Sequence, residues 1–431
     1  MTSINKLTSK NVYIIFACAV AIRLFYVLIA GTHEPLVTDA KDYDSLGVQL
    51  SQWKGYVDSL GKPTAFRPPV YPLFLGVIYY VFGHNLIIVQ LIQSLLGAGI
   101  CLLVYFIAMI VSDRKVAGIS AYVCCFYPPL VINTLEILSE LLFTFFMLSG
   151  IWIILGKNRL INYILSGLLF GLALLTRPFI IFFFPLLAFW IVIKNKGNKG
   201  NAFKKVIIFF VTLLFVLVPW TLRNYYQLHS FIPLSNHGGL TLYNSYVVPD
   251  AGLSFNSLQG VGNEYYEIQD ETGENRYLVK KTIEYIKANP INVVKITIKK
   301  VLLLFYPFDG YWYSISFGSK FNVFWGLVFC FSVIGFIVNL AKRNMDKNLI
   351  YLLLASFLIN TIVFYGSPRF RLPMDPLLIY FASSGFLYLY QNGNIVIISF
   401  LFLVNGGLFV LFRYFSFQKL FEHLSIWMLS T

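Results

Sequence analysis

The chain is cut into apolar runs of about 20 residues, each closed by charged or turn-forming residues, which is the length a helix needs to cross about 30 Å of hydrocarbon. Segments such as Leu349–Tyr365 are apolar all round, so they do not read as the alternating strands of a transmembrane β-barrel. Composition agrees: 58% of the 431 residues are hydrophobic and only 12% are charged, against about 45–50% and about 25% in soluble domains. The sequence therefore predicts an all-α polytopic membrane protein and excludes an ordinary soluble enzyme.

A formal charge of +14 raises the question of nucleic acid, and the placement of the cations answers it. Lys6 and Lys10, Arg114 and Lys115, Lys157 and Arg159, the stretch Lys194–Lys205, and Lys342, Arg343 and Lys347 lie in short loops between apolar runs. That is the positive-inside pattern. No basic face interleaved with accessible aromatics is present, so nucleic acid is not an expected partner. All five cysteines, Cys18, Cys101, Cys124, Cys125 and Cys330, fall inside apolar runs, where a free thiol behaves as a small hydrophobe.

With the basic loops cytoplasmic, Val12–Gly31 is a retained first span and Thr32–Arg67 is external. Pro68–Phe82 opens with two prolines and is short; if it crossed, Arg114 and Lys115 would lie outside. It is therefore expected to be partly inserted, with Leu86–Val111 as the second crossing. Further crossings are expected at Val116–Asn133, Leu138–Leu155, Leu160–Thr176, Phe179–Ile193, Phe203–Trp220, Phe321–Leu340, Leu349–Tyr365, Leu372–Tyr390 and Ile395–Phe412. That makes about 11, with the C-terminus outside. Between them, Thr221–Lys295 reads as a small external subdomain with an amphipathic helix near Arg276–Ala288, and Ile296–Phe317 as a helix in the outer interface. Three segments follow: 1–220 as an N-terminal catalytic module including the first external loop, 32–68; 221–318 as the external subdomain and interfacial helix; and 319–431 as C-terminal spans.

Ionisable residues at a membrane boundary are expensive and mark candidate function. Asp39, just after the first span, could act as a general base on an acceptor; the plainer reading is a helix cap. Arg67, before Pro68 and Pro69, could hold a phosphate at headgroup level, or simply snorkel. Glu136 and Glu140 sit at an external turn, where Glu140 also suits a helix N-terminus. Arg177, Arg223 with Asn224, and Arg369 with Arg371 lie at external span ends against the charge rule, which suggests an anionic ligand. For Arg371 the alternative is an ion pair with Asp375, one helical turn on.

These clusters, in this order, resemble the GT-C glycosyltransferases of the protein O-mannosyltransferase and lipid A aminoarabinose transferase type. The matching stretches are Thr38-Asp39-Ala40 through Tyr43, Gly55-Tyr56, Arg67-Pro68-Pro69-Val70-Tyr71-Pro72, Leu138-Ser139-Glu140, Leu175-Thr176-Arg177-Pro178, Pro219-Trp220-Thr221-Leu222-Arg223-Asn224, Ser235-Asn236-His237-Gly238-Gly239 and Arg369-Phe370-Arg371-Leu372-Pro373. The chain departs from the named enzymes in carrying Asp39-Ala40 where an Asp-Glu pair is common, and it lacks the large β-trefoil insertion of the eukaryotic mannosyltransferases.

The resemblance implies a GT-C fold and a multi-pass enzyme of the cytoplasmic (inner) membrane with its site on the external face. It implies a sugar carried on polyprenyl (undecaprenyl) phosphate and a glycan, lipid or protein acceptor at the cell surface, with inversion at the anomeric carbon. Asp39 and Glu140 stand at the acidic catalytic positions. Arg67, Arg369 and Arg371 would hold the donor phosphate, and Asp42, Tyr43, Tyr71, Arg177, Arg223, Asn224 and His237 would line the substrate. No ligand cluster requires a metal, although Asp39 and Glu140 could meet across a divalent one. The competing class is a transporter or flippase of an anionic polyprenyl-linked sugar or lipid, which would want binding groups reachable from both sides; apart from Arg23, the mid-membrane is nearly uncharged.

Overall fold

The computed structural model describes residues 2–31, 36, 38–248, 258–305, 322–341 and 344–414, with side chains described between 10 and 408. Among these residues the chain is helical and forms no β-strand; the nearest thing is an isolated bridge between Val57 and Pro63. The helices divide into two units, each with its own packing.

The first unit contains residues 1–237, 270–272 and 344–357. It opens with α1 (Thr2–Ala30), α2 (Thr38–Ser51), α3 (Val70–Phe82) and α4 (Leu86–Val111). The 26 residues of α4 rise about 39 Å, more than a hydrocarbon core needs. Asn85 caps α4, its side chain accepting from the Ile87 and Ile88 amides. Packed on α4 are α1, α5 (Arg114–Phe126) and α7 (Glu140–Leu155), with the short α6 (Pro128–Ile132) between the last two. The expected single crossing Val116–Asn133 is thus two helices, broken at Tyr127 because two prolines follow it.

Beyond them come α8 (Leu160–Thr176), α9 (Phe183–Lys194) and α10 (Lys199–Leu228). Four residues apart on α8, Gly167 and Gly171 present bare backbone to α10: an added Cβ would lie 2.6 Å from the Phe209 carbonyl oxygen and 2.7 Å from Val216 Cβ. Small residues at this spacing let membrane helices close up. The helix α10 runs through Pro219 and eight residues past Trp220, so Arg223 and Asn224 stand on a helix rather than in the loop expected from the sequence.

The contacts of α3 bear on whether it crosses the membrane. Tyr71 at its start packs edge-on against Tyr43 of α2 at 5.0 Å, and at its other end the Tyr79 hydroxyl donates to Asp44 of α2 at 2.6 Å. His84 Nε2, past the end of α3, lies 2.8 Å from the same Asp44 oxygen. Both ends of α3 touch α2, a helix carrying Asp39, Lys41, Asp42 and Asp44 that is too polar and too short to span. A crossing helix would carry its far end away from such a partner, whereas α3 lies beside α2 at both ends.

The second unit contains residues 238–269, 273–343 and 358–431. In chain order its elements are α11 (Gly238–Tyr246), α12 (Glu271–Ala288), which opens with two residues of the first unit, α13 (Pro290–Leu304), α14 (Val323–Leu340), the end of α15 (Met345–Val363), the single turn α16 (Pro368–Arg371), α17 (Asp375–Gln391) and α18 (Ile395–Tyr414). Tyr243, Val248 and Leu278 form a small core there, and Tyr246 packs on Ile296. Crossing closely, α14 and α17 meet at two glycines: a Cβ on Gly335 would sit 1.8 Å from the Phe381 carbonyl oxygen, and one on Gly385 2.2 Å from that of Phe331. Of the expected interfacial helix Ile296–Phe317, the part beyond 305 lies outside the described residues.

Among the described residues, five helices are long and apolar enough to span a membrane, α1, α4, α10, α14 and α15, and α3, α7, α8, α9 and α18 are shorter apolar helices. The chain is a multi-pass membrane protein.

Candidate active site

The first unit gathers most of the expected site residues along one connected line. It begins with Thr38, whose φ of +49° places a β-branched residue in the strained left-handed region. Asp39 follows in the first turn of α2. Its Oδ1 lies 2.6 Å from Arg67 Nη2, and the Oδ2 of Asp42, one helical turn on, lies 2.8 Å from the same nitrogen. Asp39 is thus tied to a guanidinium rather than turned into water. Arg67 itself is only 5% exposed, with Tyr43 and Phe66 rings over its charge at 5.3 and 5.0 Å. Burial works against its charge, but the carboxylates of Asp39 and Asp42 outweigh it and raise the Arg67 pKa above the ordinary arginine value. The guanidinium stays fully charged.

Arg67 is held by its own loop, 52–69. The Tyr56 hydroxyl donates to the Arg67 carbonyl oxygen at 2.8 Å, and burial keeps that hydroxyl protonated by pushing its pKa well up. Arg223 donates through Nη1 to the Thr64 carbonyl at 2.6 Å and through Nη2 to the Tyr56 carbonyl. It stands over the rings of Tyr56 and Trp220 at 5.4 and 5.2 Å. Glu271 accepts from Thr64 Oγ1 at 2.5 Å and from the Ala65 amide at 3.1 Å, while the Asn236 amide donates to the Ala65 carbonyl at 2.9 Å. Every polar group of Thr64 and Ala65 named here is satisfied by a residue far along the chain, which fixes the loop and therefore Arg67.

Tyr43 carries the line onward: its hydroxyl and Ser139 Oγ are 3.2 Å apart. Ser139 immediately precedes α7, whose first residue, Glu140, is fully buried. Glu140 Oε1 lies 2.6 Å from Nη1 of Arg177, the residue that ends α8. The turn before Glu140 is shaped from α4, where Gln93 Nε2 donates to the Thr134 and Glu136 carbonyls and Gln90 Nε2 to that of Leu135. Tyr71 donates to Gln93 Oε1 at 2.9 Å.

These positions sort the expected substrate contacts. Asp42 and Tyr43 adjoin the Asp39–Arg67 pair, and His237 meets Phe66 edge-on at 4.5 Å. Tyr71 and Asn224 are wholly buried and bonded to Gln93 and to the Ile232 carbonyl. Arg223 is occupied by two main-chain carbonyls and positions the loop, while Arg177 pairs with Glu140. In the second unit, Arg371 Nε donates to Asp375 at 3.0 Å and Nη1 to the Leu304 carbonyl at 3.0 Å, with its charge 3.4 Å from the centre of the Trp325 ring. The ion pair named above as the alternative for Arg371 is therefore present. Arg369 is also buried.

Sequence reasoning did not single out Tyr56, Ser139, Gln93 or Glu271 as parts of this arrangement. Tyr56 and Ser139 lie in resembling stretches, and Glu271 is one acid among several in its region, with no local pattern tying it to Thr64. Among the described residues no three His, Cys, Asp or Glu side chains gather as a metal site, and Asp39 and Glu140, the two acids that could have met across a metal, each face a guanidinium.

Residues 66–222 match the family of dolichyl-phosphate-mannose-protein mannosyltransferases, a stretch that includes Arg67, Glu140 and Arg177 but begins after Asp39. No curated protein matches the chain. Among solved structures it is similar to the Archaeoglobus fulgidus oligosaccharyltransferase complexed with zinc and sulfate, at 11% identity and a TM-score of 0.51, covering 90% of this chain and 51% of that one. The same enzyme, AglB, solved with an inhibitory peptide and a dolichol-phosphate, gives the same figures. ArnT from Cupriavidus metallidurans bound to undecaprenyl phosphate is similar at 12% identity and a TM-score of 0.41, covering 87% of this chain and 77% of that one. The chain spans about half the length of the archaeal enzyme. The fold is GT-C, the superfamily its motifs resemble.

Proposed function

We propose that this chain is a glycosyltransferase that moves a sugar from polyprenyl (undecaprenyl) phosphate to a glycan, lipid or protein acceptor on the external face of the cytoplasmic membrane. The observation that carries the reading is the contact between Asp39 and the buried, permanently charged Arg67. A base must sit within hydrogen-bond reach of the acceptor proton, and a fixed cation must meet the charge that grows on the leaving phosphate. Here the two stand together.

In this reading Asp39 takes the proton from the acceptor hydroxyl or amine as its heteroatom attacks the anomeric carbon. The bond from that carbon to the phosphate oxygen breaks, its electron pair leaves on the polyprenyl phosphate, and Arg67 stabilises the departing anion. Attack opposite the leaving group inverts the anomeric centre in one step. Glu140, locked to Arg177, supports the site through Ser139 and Tyr43. A donor already carried on a lipid phosphate requires no nucleotide pocket, consistent with the absence of a phosphate-binding glycine loop in the sequence.

The test incubates purified protein with a radiolabelled undecaprenyl-phosphate sugar and acceptor membranes. Transfer by the wild type, lost by at least about a hundredfold in Asp39→Asn, is the expected result. Undiminished transfer by that variant overturns the base assignment. Movement of the intact labelled lipid across a vesicle membrane without sugar transfer would support the flippase instead.

A further inference from the structure

Arg67 is shared by two acids that differ in how readily they can leave it. Asp39 Oδ1 and Asp42 Oδ2 both reach Nη2, at 2.6 and 2.8 Å, yet the Asp39 side chain is 18% exposed and that of Asp42 44%. Arg67 Nε is buried and has no hydrogen-bond partner among the described residues. Nε–H and the neighbouring Nη2–H form one edge of the guanidinium, the kind of edge that takes two oxygens of a phosphate in parallel. Half of that edge is unoccupied, and the other half is crowded by two carboxylates. The trio carries two formal negative charges against one positive, so an incoming phosphate is repelled while both acids remain.

One acid has to yield, and solvation decides which. Asp42 is already nearly half in water and can turn outward at little cost, whereas Asp39 would have to be drawn from a mostly buried position. We propose that Asp42 is an internal stand-in for the donor phosphate: it neutralises Arg67 in the resting site and is displaced when the lipid phosphate binds, leaving Asp39 in place as the base. The inference rests on reading Arg67 as the donor-phosphate residue. It also gives Asp42 a part in release, since the polyprenyl phosphate left after transfer can carry more charge than the diester donor and would otherwise linger on the guanidinium.

The experiment measures binding of radiolabelled undecaprenyl phosphate to the full-length protein in detergent, for the wild type, Asp42→Asn, Asp42→Glu and Arg67→Gln, with thermal unfolding of each. Removing a competing, partly exposed charge should tighten binding by about twofold to tenfold in Asp42→Asn, while Asp42→Glu, which restores the charge, should return to the wild-type value. Arg67→Gln should weaken binding at least about tenfold. Unchanged or weaker binding by a folded Asp42→Asn, with Arg67→Gln still impaired, overturns the role of Asp42 alone. Binding unaffected by Arg67→Gln overturns the phosphate reading itself, and this inference with it.

Discussion

Glu140 Oε1 and Arg177 Nη1 lie 2.6 Å apart, joining the first residue of α7 to the residue that ends α8. The two helices are antiparallel neighbours, so charges placed at similar distances on either side of the turn between them arrive at the same end. The pair is almost dry: the Glu140 side chain has no exposure and that of Arg177 15%. A buried ion pair contributes little net stability because desolvation offsets attraction, but breaking one side leaves a stranded charge.

Glu140→Gln and Arg177→Met singly should therefore destabilise the protein by about 3–5 kcal/mol. The double variant Glu140→Met with Arg177→Met should recover most of that loss. Thermal unfolding in detergent reads the stability, and sugar transfer on the same samples separates the roles: a stable but inactive double variant means that Glu140 contributes to the reaction beyond holding the fold. Full activity in the double variant would assign the pair to the fold alone.

Glu271 should matter to Arg67 without touching it. Glu271→Gln keeps the size of the side chain but loses the charge behind its bonds to Thr64 and Ala65, and hydrogen bonds to charged groups contribute about 1.5–3 kcal/mol. Amide exchange at Ala65 and Phe66 should accelerate in the folded variant, and the KM for the lipid donor should rise. Unchanged exchange would show that Arg223 and Asn236 hold the loop unaided.

At the crossing of α14 and α17 there is no room for a side chain. Gly335→Val forces a branched Cβ against the Phe381 carbonyl and should separate the helices, which is among the few mechanisms that destabilise by more than about 4 kcal/mol. A sharp fall in the yield of monodisperse protein after detergent extraction is the expected result. A normal yield with a normal melting temperature would contradict the close crossing.

Lys300, on α13 outside the spanning helices, supplies a pH test. It is wholly buried, donates to the Ile362 carbonyl at 2.8 Å, and burial lowers its pKa from 10.5 to about 7. The unfolded chain holds this proton to about pH 10.5 while the folded chain releases it near 7, so between those values the unfolded state binds more protons and stability rises with pH. Measured from pH 6 to about pH 9, wild type should gain melting temperature relative to Lys300→Met, with most of the gain above the folded pKa. A difference that stays constant over that range would mean the amine keeps its charge.

The chemistry-bearing residues were legible because a membrane makes charge conspicuous. In a chain so apolar, Asp39, Arg67, Glu140 and Arg177 stand out at the ends of runs that can only be helices. Other positions were misplaced for a local reason: α10 continues past Trp220 because nothing after Pro219 stops a helix until His229, which ends it in the left-handed conformation.

What the sequence determined alone was the kind of structure, apolar helices, and the rim residues able to carry charge. Helix formation and lipid burial depend on runs of neighbours, and those are written consecutively. Only the tertiary structure decided which charges meet. Arg67 is drawn between Asp39 and Asp42, and Arg223 is bonded to the carbonyls of Tyr56 and Thr64, partners that no local pattern names. A guanidinium accepts any oxygen brought within about 3 Å, so its partner is set by where helices far apart in the chain come to rest, and no stretch of neighbouring residues encodes that.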